Sequence, residues 1–253
     1  MRLTGNSQPG GRGYVGSLPY SPSVSNAESK HAESERAGSD RARSKRAGSW
    51  LRELVILVVV AVVVAFGVRT FIAASFYIPS GSMEHTLDIH DRVLVYKLGY
   101  RFHDPNRGDI VVFKAPHQWA EETGDGGDWI KRVIAVGGDK VAYDDAKGRI
   151  TVNGKAINEP YIYRNAQGAQ DPPSEAPFSV TVPKGRLWLM GDHRSNSSDS
   201  REHYLQSHNV MLSTVPESSV VGRAFATYWP LNRMTWLSAP STFDSVPDAR
   251  AAN

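Results

Sequence analysis

Trp129-Ile130-Lys131-Arg132-Val133-Ile134-Ala135-Val136 is a run rich in β-branched residues, opened by an aromatic one, with no glycine or proline. It reads as a strand, along which side chains alternate between two faces, so Lys131 shares a face with Val133 and Ile130 with Arg132. The same pattern recurs at 92–96, 109–113, 149–152, 178–182, 186–190 and 220–226. Gly137-Gly138-Asp139, Asn153-Gly154 and Pro183-Lys184-Gly185 supply turns between runs, and Asn153-Gly154 marks a tight hairpin. Residues 164–177 are polar and proline-rich, as in an exposed loop. There is no solenoid-spaced repeat, no glycine-rich phosphate loop and no dinucleotide fingerprint. The chain is therefore expected to be mainly β, with an all-β domain over 76–237 in which 140–185 forms a variable β subdomain.

Upstream, Leu54 to Val68 is apolar and uncharged; Arg69 interrupts it and Phe71-Ile72-Ala73-Ala74 extends it. A bilayer needs about 20 apolar residues, which the segment reaches if Arg69 snorkels to the headgroups. A transmembrane helix over 50–75 follows. A cleavable signal peptide is the competing reading, but its basic region is short, whereas about fifty residues precede this run. Residues 1–49 are rich in Gly, Ser, Ala, Arg and Glu and lack large aliphatics, as in a disordered segment. Arg36, Arg41, Arg43, Lys45, Arg46 and Arg52 make its end basic, which places the N-terminus in the cytoplasm and the β domain outside. The chain of 253 residues carries a net charge of only +3, so nucleic acid is not an expected partner. The absence of cysteine excludes disulfides, thiolate metal sites and cysteine catalysis.

Between the helix and the first strand lies Ile78-Pro79-Ser80-Gly81-Ser82-Met83-Glu84-His85-Thr86-Leu87. Pro79 fixes its own φ and holds Ile78 extended, and Gly81 permits a corner from which Ser82 projects. Alone, these ten residues also fit an ordinary loop. Lys131 likewise has two readings, a solvated edge-strand side chain or a desolvated amine. Burial lowers a lysine pKa from its reference of about 10.4, and a fall of two units, worth roughly 2.7 kcal/mol, makes it a usable base for a serine hydroxyl. The third polar element, Gly191 through Arg201 (GDHRSNSSDSR), reads as a loop with local Asp–Arg pairs or as support for a site.

In order, Pro79–Met83 with Thr86-Leu87, 91–97 (DRVLVYK), 107–113 (RGDIVVF), Lys131-Arg132 with Gly138-Asp139, 191–201, and Val221-Gly222-Arg223-Ala224 resemble bacterial type I signal peptidase. That family comprises membrane-bound Ser/Lys serine endopeptidases that remove signal peptides from exported preproteins at A-x-A-type sites. The resemblance covers most of 69–226. It implies Ser82 as nucleophile, Lys131 as general base, and the Ser82 N–H with the Ser80 hydroxyl as oxyanion hole. It further implies that Ser197 orients the Lys131 amine, and that the pairs Asp199–Arg201 and Asp192–Arg132 hold the loops. Ile78, Met83, Leu87 and Ile130 match positions lining shallow pockets for small substrate side chains. The implied partners are signal peptides and the lipid bilayer; the single apolar run, not the resemblance, makes the protein single-pass in the cell membrane. His85 stands where many members have proline, and the family's best-known members have two spans rather than one.

The eight histidines show no ligand spacing, so neither metal nor cofactor is expected. Trp229, Leu231, Met234 and Trp236 fit either contact with the outer leaflet or burial in the β core. Residues 238–253 read as a flexible C-terminal tail.

Overall fold

The computed structural model describes residues 50–67, 73–119 and 127–249. The expected basic tail over 1–49, the Arg69 interruption within 68–72, and 250–253 lie outside the described residues.

Helix α1, Trp50–Gly67, has 18 residues, a mean hydropathy of 2.4 and no buried share. At 1.5 Å per residue it is about 27 Å long, close to the ~30 Å hydrocarbon thickness of a bilayer. Among the described residues it is the one helix long and apolar enough to cross a membrane. The span does not continue to residue 75 as a helix, because Ala73–Tyr77 is a strand, β1. Its backbone pairs antiparallel with a second strand, from Ala73 opposite Tyr96 to Tyr77 opposite Arg92. Phe76 packs against the buried cluster beneath. Pairing with β2 decides the conformation of this stretch, where a plain hydropathy count extends the helix.

Downstream are β2 (Arg92–Tyr96), β3 (Ile110–Lys114), β4 (Asp128–Ala135), β5 (Lys140–Asp144) and β6 (Arg149–Val152). There follow β7 (Lys155–Ala156), β8 (Phe178–Thr181), β9 (Arg186–Met190), β10 (Val215–Pro216), β11 (Val220–Trp229) and β12 (Thr235–Trp236). One sheet has the order β1-β2-β11-β3-β4-β9-β10, with β12 on β11; a second has the order β7-β6-β5-β8. Val152 pairs with Lys155 across the expected hairpin, and Asn153 and Gly154 have φ of 52° and 79°, the signature of a type I′ turn.

β4 sits inside the larger sheet, with Val111 of β3 opposite Lys131 on one side and Met190 of β9 opposite Arg132 on the other. Its two faces feed different clusters. Ile130 packs with Ile78, Met83, Val93, Ile110 and Val112; Val133 packs with Val111, Phe113, Trp119 and Leu189. The mainly β architecture carries one short helix pair, α2 (Ser200–Ser207) and α3 (Val210–Ser213), between β9 and β10.

The expected flexible tail is corrected over its described part, 238–249. Phe243 and Val246 are buried in the cluster that also holds Ile134, Val141 and Trp188. Thr242 Oγ1 accepts from Asn158 N at 2.7 Å and Pro247 O accepts from Asn153 Nδ2 at 2.8 Å. Two apolar residues three apart in an otherwise polar stretch suffice to anchor it. Trp229, Leu231, Met234 and Trp236 are all exposed, so the core reading of that group does not hold.

Candidate active site

The corner holding Ser82 is built from both ends. Ile78 N donates to Asp91 O at 2.9 Å and His90 N donates back to Ile78 O at 2.9 Å, which closes the segment into a loop. Inside it, Glu84 N donates to Gly81 O at 3.1 Å and Leu87 N to Met83 O at 2.7 Å. Ile78, Met83 and Leu87 are buried beneath and pin the loop to the sheet. These three were expected to line substrate pockets; they belong to the buried cluster that also holds Val93 and Ile110, where apolar side chains flanking a turn gain most by burial. His85 has φ of 81°, an angle a proline ring does not reach.

Lys131 and Ser82 come together although 49 residues separate them: Lys131 Nζ is hydrogen-bonded to Ser82 Oγ at 2.6 Å. Both are nearly closed to solvent, at 4% and 8% exposure. The amine lies 5.6 Å from the centre of the Trp129 ring. Burial pushes the Lys131 amine down to about 8, against opposition from the negative charges of Asp199 and then Asp192. An appreciable fraction is therefore neutral and able to accept a proton at mildly alkaline pH. The Ser82 N–H has no backbone acceptor among the described residues.

The loop after β9 holds the corner from the other side. His193 N donates to Ser82 O at 3.1 Å. Asp199 caps α2, accepting from Arg201 N and Glu202 N, and its other oxygen accepts from Gly191 N at 3.1 Å. Arg201 Nε lies 3.5 Å from Asp199 Oδ1, and Arg201 Nη2 donates to Arg194 O at 2.7 Å. Arg132 makes a two-pronged pair with Asp192, Nε to Oδ1 at 2.9 Å and Nη2 to Oδ2 at 2.6 Å, fully buried. Thr86 Oγ1 donates to the same carboxylate at 2.5 Å, so this pair joins the Ser82 loop, β4 and the loop after β9.

Ser197 differs from expectation. Its hydroxyl is buried without a hydrogen-bond partner, so it does not hold the Lys131 amine; it packs instead against Gly191. The amine is oriented by its strand and by Ser82. Four further groups escaped the sequence reading: the buried Arg194–Glu159 pair at 2.6 Å, the Glu84–His193 contact at 2.8 Å, and the pocket residues Trp129 and Ser198. Arg194 was visible within the 191–201 motif, but no local signal points to Glu159, 35 residues away.

An open cleft of about 240 Å³ meets the Ser82–Lys131 pair. Its walls include Ser80, Trp129, Ile130, Asn196 and Ser198. Of the four residues expected to line it, Ile130 alone does so, while Ser80 stands at its edge, exposed. This arrangement, a hydroxyl on a braced corner, a desolvated amine beside it and a shallow cleft in front, can carry out nucleophilic attack on an extended peptide. Among the described residues no cluster of His, Cys, Asp and Glu could hold a metal ion.

A family model described as "Signal peptidase, peptidase S26" matches residues 51–229. Signal peptidase I of Mycobacterium tuberculosis is 38% identical, over 73% of this chain and 74% of its own length. A probable signal peptidase I-2 of Synechocystis is 39% identical, over 78% of this chain and 82% of its own. A solved signal peptidase I from Enterococcus faecalis is 26% identical, with a TM-score of 0.35, covering 48% of this chain and 97% of its own.

Proposed function

This chain belongs to the signal peptidase, peptidase S26, family and is a serine peptidase that cleaves signal peptides, and we propose that it does so through a Ser82–Lys131 dyad. The observation that carries the reading is the 2.6 Å contact between Ser82 Oγ and a lysine amine held near a pKa of about 8 by burial. Neutral Lys131 takes the Ser82 proton as Oγ attacks the scissile carbonyl carbon. The oxyanion that forms is met by the Ser82 N–H and the Ser80 hydroxyl. The Lys131 ammonium then protonates the departing amine, leaving an acyl ester on Ser82. Water attacks that ester, giving its proton to Lys131, and as the free carboxylic acid leaves, the Lys131 ammonium returns that proton to Ser82 Oγ, restoring hydroxyl and neutral amine.

Ile130 and Trp129 are among the walls of the cleft, and apolar walls select small side chains by excluding bulk, which is the basis on which cleavage after A-x-A-type sites is assigned. Helix α1 anchors the enzyme in the cell membrane as a single span, with the basic tail in the cytoplasm and the β domain outside, and substrate and enzyme share that bilayer. No cofactor takes part. Asp192–Arg132 and Asp199–Arg201 act as braces rather than proton carriers, since each carboxylate already accepts fixed hydrogen bonds.

The test is a detergent-solubilised preprotein incubated with wild type, Ser82→Ala and Lys131→Met. Both variants are expected to leave it uncut while melting cooperatively. Processing by either at the wild-type rate removes the dyad. Protease added outside intact cells is expected to degrade the β domain and spare the tail.

A further inference from the structure

His193 occupies an unusual position behind the nucleophile. Its Nδ1 lies 2.8 Å from Glu84 Oε2 and 3.1 Å from Gly81 O. Both partners are acceptors, so Nδ1 carries the proton and shares it between them. The ring is held flat against Tyr163, with centroids 3.7 Å apart and planes within 18°. Tyr163 is itself tied to the loop by donating its N–H to Asp192 O at 2.9 Å. On the far edge of the ring, Nε2 is 3.9 Å from Asp171 Oδ2, which accepts from Ser195 N and Oγ. Glu84, Asp171 and Tyr163 are thus the titratable groups around the imidazole, and each fixes one edge or face of it.

Gly81 O belongs to the same peptide unit as the Ser82 N–H. In a trans peptide the carbonyl and the N–H point in opposite directions within one plane. Glu84 N already donates to this carbonyl at 3.1 Å from within the turn, and a second donor from the facing loop further fixes the direction of the N–H and, by polarising the amide, strengthens it as a donor. We propose that His193 is a positioning residue for the oxyanion hole, its Nδ1–H orienting and polarising the Gly81–Ser82 peptide while Glu84 sets the tautomer. The inference rests on the Ser82 N–H serving as an oxyanion donor. His193 touches neither substrate nor reacting atoms; it acts through the peptide. Its own N–H on Ser82 O grips the next carbonyl, so one residue braces both ends of Ser82.

Three replacements separate this role from mere packing. His193→Phe keeps a flat ring for Tyr163 and deletes the donor. His193→Asn places an amide N–H the same number of bonds from Cα as Nδ1–H, and His193→Gln places it one bond too far. With a peptide spanning an A-x-A site, His193→Phe is expected to lower kcat about tenfold with KM within about twofold, less than the about 10²–10³ lost with an oxyanion donor itself. His193→Asn is expected to return kcat to within about threefold of wild type, and His193→Gln to stay near the phenylalanine variant. The proposal is overturned if His193→Phe keeps kcat within about twofold, or if the asparagine and glutamine variants are equally active. Should the phenylalanine variant not fold, the asparagine–glutamine comparison decides. Ser82→Ala runs beside them: if it cleaves at the wild-type rate the dyad reading has failed, whereas an inactive Ser82→Ala with normal His193→Phe sinks only this inference.

Discussion

Gly191→Ala probes the closeness of the two loops that form the site. A methyl group on Gly191 would lie 2.2 Å from Ser197 Oγ, 2.6 Å from Ser197 Cβ and 2.5 Å from Ser82 O. Ordinary carbon contacts are about 3.5–4.0 Å, so the Ser82 carbonyl would have to retreat by about 1 Å. Ser197 is buried and the Ser82 carbonyl accepts from His193 N, so neither neighbour moves freely. Overpacking of this kind costs about 1–3 kcal/mol. In a domain of this size each kcal/mol lowers Tm by about 2–4 °C, giving a fall of about 2–12 °C. Activity is expected to suffer more, because misplacing a reacting group by about 1 Å costs on the order of 10²-fold. The assays are thermal melting and kcat on a preprotein. Adding Ser197→Ala removes the 2.2 Å contact but leaves the clashes with Ser197 Cβ and the Ser82 carbonyl, so it is expected to recover a small part of the stability and little of the activity. If Gly191→Ala melts within a degree or two of wild type and keeps kcat within about twofold, the two loops are not packed as described.

The other predictions concern charge and metal. Lys131 carries a proton in the unfolded chain up to its ordinary 10.5 but in the folded chain only to about 8, so its burial penalty is complete below 8 and relieved as pH rises to 10.5. Unfolding free energy is therefore expected to gain about 3 kcal/mol between those pH values relative to Lys131→Met, at 1.36 kcal/mol per pH unit; parallel urea curves for the two proteins would contradict this. Asp192→Leu leaves the Arg132 guanidinium buried beside Tyr161 without its carboxylate, and is expected to cost about 3–5 kcal/mol by urea denaturation, a loss below about 1 kcal/mol arguing against a buried pair. EDTA is expected to leave cleavage unchanged; full inhibition reversed by zinc would contradict a metal-free mechanism.

Much of the sheet was legible because β4, β6 and β11 are rich in β-branched and aromatic residues and β9 is a short apolar run, each between turn formers. β1 was not, since Ala73-Ala74-Ser75 continues an apolar run by composition and only pairing with β2 reveals a strand. Helix α2 begins at the end of what reads as a polar loop over 191–201 and runs on past it, and its start is set by the Asp199 cap rather than by an apolar face. Ser82 and Lys131 stood out through the order of the surrounding motifs, but their contact depends on how β4 lies beside the corner, which periodicity does not encode. The same limit explains Ile78, Met83 and Leu87: a motif names positions, whereas burial decides which of them face a cleft and which anchor it. Ser197 shows another limit, a motif serine whose buried hydroxyl makes no hydrogen bond in the structure.

The central claim is that a buried, partly neutral amine activates Ser82, and the pH dependence of kcat/KM in the free enzyme tests it most directly. Activity is expected to fall on the acid side with a midpoint near the Lys131 value of about 8, and Lys131→Met is expected to show no measurable cleavage at any pH. A profile flat from about pH 6 to 9, or an acid limb that survives in Lys131→Met, would contradict it.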